Sequence, residues 1–214
     1  MAPGLDFADL ETLGAAVQQC RRCPLGTSRT RAVPGVGPQT ARIMIVGEAP
    51  GQNEDQQGEP FVGAAGKLLD QLLKGIGLSR ADVFITNILK CRPPGNRDPL
   101  PNEVQACSPY LDQQQKLINP EVVLLLGRHA LARLLPGHES ISRLHGKVVV
   151  KDEVTYIPIY HPAAALYNNF LMVPLEQDFK AVRAHLDRMA ERRKLVAATS
   201  VPAAKAEEQL TLFG

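Results

Sequence analysis

Short apolar runs separated by helical segments constrain this chain more than any other feature. Arg42-Ile-Met-Ile-Val-Gly47 reads as a buried strand, residues 83–87 as the next and residues 121–127 as a third. Between them, residues 63–75 predict a helix with Leu68, Leu69, Leu72 and Leu73 on one face. Pro101-Asn102 predicts another helix start, with Asn102 as the cap and Glu103 in the first turn, where a carboxylate favours the helix dipole. A short helix through Leu135, two strands at 148–150 and 154–160 around a turn at Asp152, and a long helix over 175–195 complete the series. Strands that alternate with helices need crossover connections, so the expected class is α/β, with a largely parallel sheet covered on both faces. A 44% hydrophobic fraction over 214 residues suits one well-buried domain.

The four cysteines fall into one close pair and two distant singles: Cys20, Cys23, Cys91 and Cys107. Residues 1–10 hold no basic stretch followed by an apolar run, so no signal peptide is expected. Runs such as 122–126 are far too short to cross a bilayer, and a soluble, cytoplasmic protein is expected. In that setting four thiols read as metal ligands rather than disulfides. A zinc ribbon would take its ligands as two close pairs, whereas here the second pair is split; an all-cysteine iron-sulfur cluster fits at least as well. The alternative is that some of them are merely small buried side chains. Arg21, Arg22, Arg29, Lys90 and Arg92 surround the thiols in sequence, and cationic neighbours favour thiolates.

A net charge of +2 hides an uneven distribution. No acidic residue occurs from Thr12 through Gly47, a stretch holding Arg21, Arg22, Arg29, Arg31 and Arg42. A second basic region runs over Arg128, Arg133, Arg143, Lys147 and Lys151. Basic segments are commonly solvated faces, but two in a near-neutral chain point to a polyanion surface.

Ligands of an open parallel sheet bind beyond the carboxyl ends of its strands. The first strand leads into Gly47-Glu48-Ala49-Pro50-Gly51 and then Pro60-Phe61-Val62-Gly63. The second ends in Thr86-Asn87 before Lys90-Cys91-Arg92-Pro93-Pro94, and the last runs into Tyr160-His161-Pro162. A carboxylate, an aromatic ring, an amide and an imidazole thus reach one rim, with no Ser-His-Asp set and no phosphate-loop lysine. Taken singly, each has an ordinary structural explanation; four at one rim do not.

These segments, with His161-Pro-Ala163 and all four cysteines, resemble the type 4 uracil-DNA glycosylases, over roughly residues 20–185. The resemblance implies a three-layer α/β/α sandwich around a four-stranded, mainly parallel sheet, and a [4Fe-4S] cluster on Cys20, Cys23, Cys91 and Cys107. It implies a monomeric, monofunctional enzyme of base excision repair that acts on uracil in single- or double-stranded DNA. Phe61 would stack on the extruded base, and the Asn87 amide would meet uracil O4 and N3–H, where cytosine reverses donor and acceptor. His161 would donate to O2 of the departing uracil, with backbone amides of residues 47–49 assisting at Gly47 and Ala49. Glu48 would orient or deprotonate the attacking water. Leu166 and Tyr167 would form the wedge that fills the vacated stack. Well-known members of the superfamily carry an aspartate and a tyrosine where this chain has Ala49 and Gly51, so the exclusion of thymine rests elsewhere.

Two other readings compete. Relatives that trap the sugar covalently do so through a histidine in a basic insertion after the second strand, but residues 90–102 are short and contain none. An electron-transfer or zinc-stabilised nucleic-acid module would leave the four rim residues unexplained. The domain is expected over residues 1–195, followed at 196–214 by a tail whose Ala, Ser, Thr, Pro and Lys cannot bury much and should be flexible. That tail ends in Gln209-Leu210-Thr211-Leu212-Phe213, which resembles the peptide by which bacterial repair proteins dock on the DNA sliding clamp.

Overall fold

The computed structural model describes residues 5–199; Gln209, Leu210, Leu212 and Phe213 of the clamp-like peptide lie outside them. In chain order the α-helices and strands are α1 (Leu10–Gln19), α2 (Leu25–Ser28), β1 (Ile43–Gly47), α3 (Gln52–Gln57), α4 (Ala64–Gly75) and β2 (Val83–Asn87). There follow α5 (Pro101–Ile118), β3 (Val122–Leu126), α6 (Arg128–Leu134), α7 (Ile141–Leu144), β4 (Val149–Lys151), β5 (Val154–Ile159), α8 (Pro162–Tyr167) and α9 (Met172–Thr199). No helix among the described residues is long and apolar enough to cross a membrane.

The sheet order is β2-β1-β3-β5-β4. Four strands run parallel and β4 pairs antiparallel with β5. The sheet therefore has five strands rather than the four expected from the resemblance, because the short β4 adds an antiparallel edge. Its hairpin turns at Asp152 and Glu153, both at positive φ, as a two-residue turn matched to strand twist requires. Val150 on this edge is 67% exposed, whereas every residue of β1, β2 and β3 is buried. That contrast explains why the parallel strands read as continuous apolar runs.

Alternate side chains of the strands feed two cores. Met44, Val46, Val123 and Leu125 pack with Leu13, Val17 and Leu111 from α1 and α5 on one face. Ile43, Ile45, Leu124 and Ile157 pack with Leu69, Leu73, Leu175 and Phe179 from α4 and α9 on the other. The result is the three-layer sandwich, with helices on both faces.

Helix starts follow local chemistry, with one correction. Asn102 is not the cap of α5; Leu100 is, and Pro101 occupies the first helical position, where its fixed φ and missing N–H cost nothing. The Glu103 carboxylate accepts the Leu100 N–H at 2.9 Å. Helix α9 extends at both ends of its expected span, reaching Thr199.

Candidate functional site

The sheet order places its switch point at β1, where the chain leaves for β2 on one side and returns to β3 on the other; crevices form beyond the strand ends at such points. A cavity of about 600 Å³ opens there. Glu48, Ala49, Phe61, Asn87, His161 and Tyr167 all line it, contributed by the segments after β1, β2 and β5 and by α8. Gly47 lies beneath them, and Leu166, 44% exposed on α8, is not part of the lining.

Register sets the floor of the cavity. Gly47 and Asn87 are paired residues of adjacent parallel strands. A Cβ at Gly47 would stand 2.4 Å from Asn87 Oδ1 and 2.7 Å from Phe61 Cζ, so only glycine lets the amide and the ring close over the strand. Asn87 is 2% exposed, and its Oδ1 has no hydrogen-bond partner among the described residues. An orphaned buried acceptor costs about 1–3 kcal/mol, and this one borders the cavity.

Phe61 is held in an uncommon conformation, with φ of 54°. The Arg80 guanidinium donates to the Pro60 carbonyl at 3.0 Å and also to the Phe61 carbonyl. Gly66, in the first turn of α4, lies against that carbonyl; a Cβ there would fall 1.7 Å from the Phe61 oxygen. The Phe61 ring stacks on the His161 ring, with centroids 5.7 Å apart and planes 24° apart.

Glu54 joins the two loops that the sequence reading treated separately. Its carboxylate accepts from the Gly51 N–H at 3.1 Å and from the Val62 and Gly63 N–H groups at 2.9 Å each. The signal that could have found it is spacing: a glutamate three residues into a helix reaches back to the cap, here Gly51.

His161 caps α8. Its Nδ1 accepts from the Ala163 N–H at 3.1 Å, which leaves the ring proton on Nε2. Burial pushes its pKa down to about 4, partly countered by Glu54, so the ring is a neutral Nε2–H donor at ordinary pH. Burial raises the Glu48 pKa; His129 opposes that shift, Asp98 adds to it and Arg128 opposes it. His129 Nε2 lies 3.8 Å from Glu48 Oε2 and 3.5 Å from Asp98 Oδ1, while Arg128 pairs with Asp98 at 2.5 Å. Of these three neighbours of Glu48, Arg128 was read only as part of a basic region, and Asp98 and His129 were not read from the sequence, since they lie far from Glu48 along the chain with no shared spacing.

All four cysteines line a second, smaller cavity beside the first core, together with Arg29 and Lys90. The Arg29 guanidinium donates to Cys91 Sγ at 2.9 Å and the Lys90 backbone N–H to Cys107 Sγ at 3.3 Å. As a free thiol Cys107 is pushed up to about 12, chiefly by burial. Four convergent sulfurs with cationic and N–H donors fit a metal centre that takes them as thiolates. Arg21, Arg22 and Arg31 are exposed, as are Arg128, Arg143, Lys147 and Lys151 in the second basic region.

A switch-point cavity with a buried amide and a neutral imidazole defines an α/β protein built to hold a flat polar ligand, with four convergent cysteines at its flank. The family model of the uracil DNA glycosylase superfamily matches residues 34–205. The type-4 uracil-DNA glycosylase of Sulfurisphaera tokodaii is 51% identical over 183 residues, 81% of this chain and 83% of that protein. Those of Saccharolobus solfataricus and Archaeoglobus fulgidus are 48% and 49% identical, covering 83% and 81% of this chain and 87% and 91% of theirs. The chain belongs to the type-4 uracil-DNA glycosylases.

Proposed function

We propose that this chain is a monofunctional uracil-DNA glycosylase of base excision repair, which extrudes uracil from DNA into the switch-point cavity and hydrolyses its N-glycosidic bond. The observation that carries this reading is the meeting, in one cavity, of the unpartnered Asn87 Oδ1 and the neutral His161 ring. Uracil N3–H supplies the donor that Asn87 Oδ1 lacks, and the Asn87 amide nitrogen donates to O4. Cytosine presents an acceptor at N3 and a donor at C4, so both contacts fail. Phe61 stacks on the base.

Breaking the bond builds positive charge on the sugar and negative charge on uracil, chiefly at O2. His161 Nε2–H donates to O2 without giving up its proton, and backbone N–H groups at Gly47 and Ala49 add to the same stabilisation. Glu48 orients water toward the anomeric carbon, takes its proton, and lends its charge to the sugar cation. Its raised pKa makes it a better base than an exposed carboxylate. Leu166 and Tyr167, the latter 93% exposed, fill the stack that the base leaves. The exposed arginines contact phosphates.

Cys20, Cys23, Cys91 and Cys107 hold a [4Fe-4S] cluster. When bound it supplies a structural cross-link between the segment after α1, the segment after β2 and helix α5. The enzyme acts as a cytoplasmic monomer, and Gln209, Leu210, Leu212 and Phe213 dock it on the DNA sliding clamp. The deciding test is release of free uracil from uracil-containing oligonucleotides, followed by alkaline cleavage at the abasic sites. Binding without release of the base would contradict it.

A further inference from the structure

Lys90 is buried to 1% exposure, yet none of the ion pairs among the described residues involves it. Its ammonium spends all three protons inside the protein. Nζ donates to Thr86 Oγ1 at 2.6 Å, to the Asn87 carbonyl at 2.7 Å and to Gln114 Oε1 at 2.6 Å. Two of these partners are anchored in turn: Thr86 Oγ1 donates to the Pro34 carbonyl at 2.9 Å and Gln114 Nε2 to the same carbonyl at 2.6 Å. The Lys90 backbone is tied just as closely, its N–H to Cys107 Sγ at 3.3 Å and its carbonyl to the Val33 N–H at 2.8 Å.

Burying an ammonium is expensive, and a methionine of similar length would fill the space without that cost. No carboxylate among the described residues pairs with the ammonium directly, and Asp112 adds only a more distant attraction; Cys107 and Cys91, as thiolates, would supply the larger compensation from the cysteine site next door. One residue therefore grips the main chain of Asn87 with its side chain and a cysteine ligand with its backbone. We propose that Lys90 is a positioning residue for base recognition, holding the Asn87 amide in its reading orientation and coupling that orientation to the cysteine centre. The proposal rests on Asn87 as the reader of uracil. Lys90 never touches the base; it holds the backbone from which Asn87 projects, while Gly47 on the other side leaves room for the amide where a Cβ would stand 2.4 Å from Asn87 Oδ1.

The test uses the full-length, iron-loaded protein and two measurements: affinity for free uracil, from product inhibition, and affinity for abasic DNA. Lys90→Met should keep the visible absorbance of the iron centre and bind abasic DNA within about twofold of wild type, while its affinity for uracil falls about tenfold or more. Gln114→Met, which removes one of three acceptors, should lower uracil affinity by about threefold with DNA binding intact. Asn87→Ala serves as the reference. If it binds uracil like wild type, the reading of Asn87 is wrong. If it loses uracil while Lys90→Met and Gln114→Met do not, the positioning role alone is overturned. Should Lys90→Met fail to fold or to hold iron, Gln114→Met decides, and wild-type uracil affinity in that variant sinks the proposal.

Discussion

His161 shows how much chemistry one backbone hydrogen bond can settle. Because Nδ1 is occupied by the Ala163 N–H, the ring can offer only Nε2–H to a ligand, and burial keeps it uncharged down to about pH 4. A neutral donor stabilises a departing oxyanion without first having to acquire a proton. His161→Ala should therefore lower the single-turnover excision rate by about 10²-fold, with abasic DNA affinity nearly unchanged, the size expected for one lost oxyanion donor. A loss of binding with turnover preserved would instead make it a docking residue. The acid limb of the rate profile should belong to Glu48. Burial raises its pKa above the ordinary value of 4.5, so activity should rise with pH as this carboxyl ionises, at a higher pH than an exposed glutamate would need. Residual activity of Glu48→Gln, measured across the same range, should lack that limb; an unchanged limb would assign it to another group.

At the scale of elements, the site exists because two loops from different parts of the sequence share one carboxylate. Helix α3 is short, and its work is to present Glu54 to the N–H groups of Gly51, Val62 and Gly63. Phe61, in a positive-φ conformation, sits between the Glu54 contacts at 62–63 and the Arg80 contacts at 60–61, so its ring is fixed from both sides. Glu54→Ala removes three accepted bonds at once and should cost about 1–3 kcal/mol of stability. For a domain of this size that corresponds to a fall in Tm of roughly 2–12 °C. Activity should fall further than stability explains, because Phe61 loses its fixed orientation; the comparison is kcat/KM measured well below the Tm of the variant. Wild-type kcat/KM would show that the ring holds its place without Glu54.

At the scale of the whole molecule, four sulfurs from three distant segments meet in one cavity. Three thiolates leave a cluster with an open corner, and metal binding is folding free energy where the site forms only on folding. Cys107→Ala should thus yield colourless, iron-poor and largely insoluble protein, checked by iron content and visible absorbance of the soluble fraction. Full iron occupancy in that variant would remove Cys107 from the ligand set. At the other end of the chain, deletion of residues 209–214 should leave excision on short oligonucleotides unchanged and abolish binding to the bacterial sliding clamp. The gain from such docking is local concentration near DNA, not a change in the active site. Equal clamp affinity for full-length and truncated protein in a calorimetric titration would refute the docking role.

Sequence alone determined the class of fold, because a strand buried on both faces is mostly apolar, and residues 43–47, 83–85 and 122–126 carry that mark openly. It also named Glu48, Phe61, Asn87 and His161, since residues that follow parallel strands have only one rim to occupy. The edge strand was legible as well, read at 148–150; the count of four came from the resemblance alone, and β4, with three residues and none fully buried, raises it to five. What only tertiary structure decided are the contacts between segments far apart in the chain. Glu54 bridging two loops, Lys90 reaching Gln114, Arg29 meeting Cys91 and His129 approaching Glu48 depend on strand register and on how helices pack across the sheet. Such contacts leave no periodicity behind, because a hydrogen bond between distant segments is set by three-dimensional distance and not by spacing along the chain.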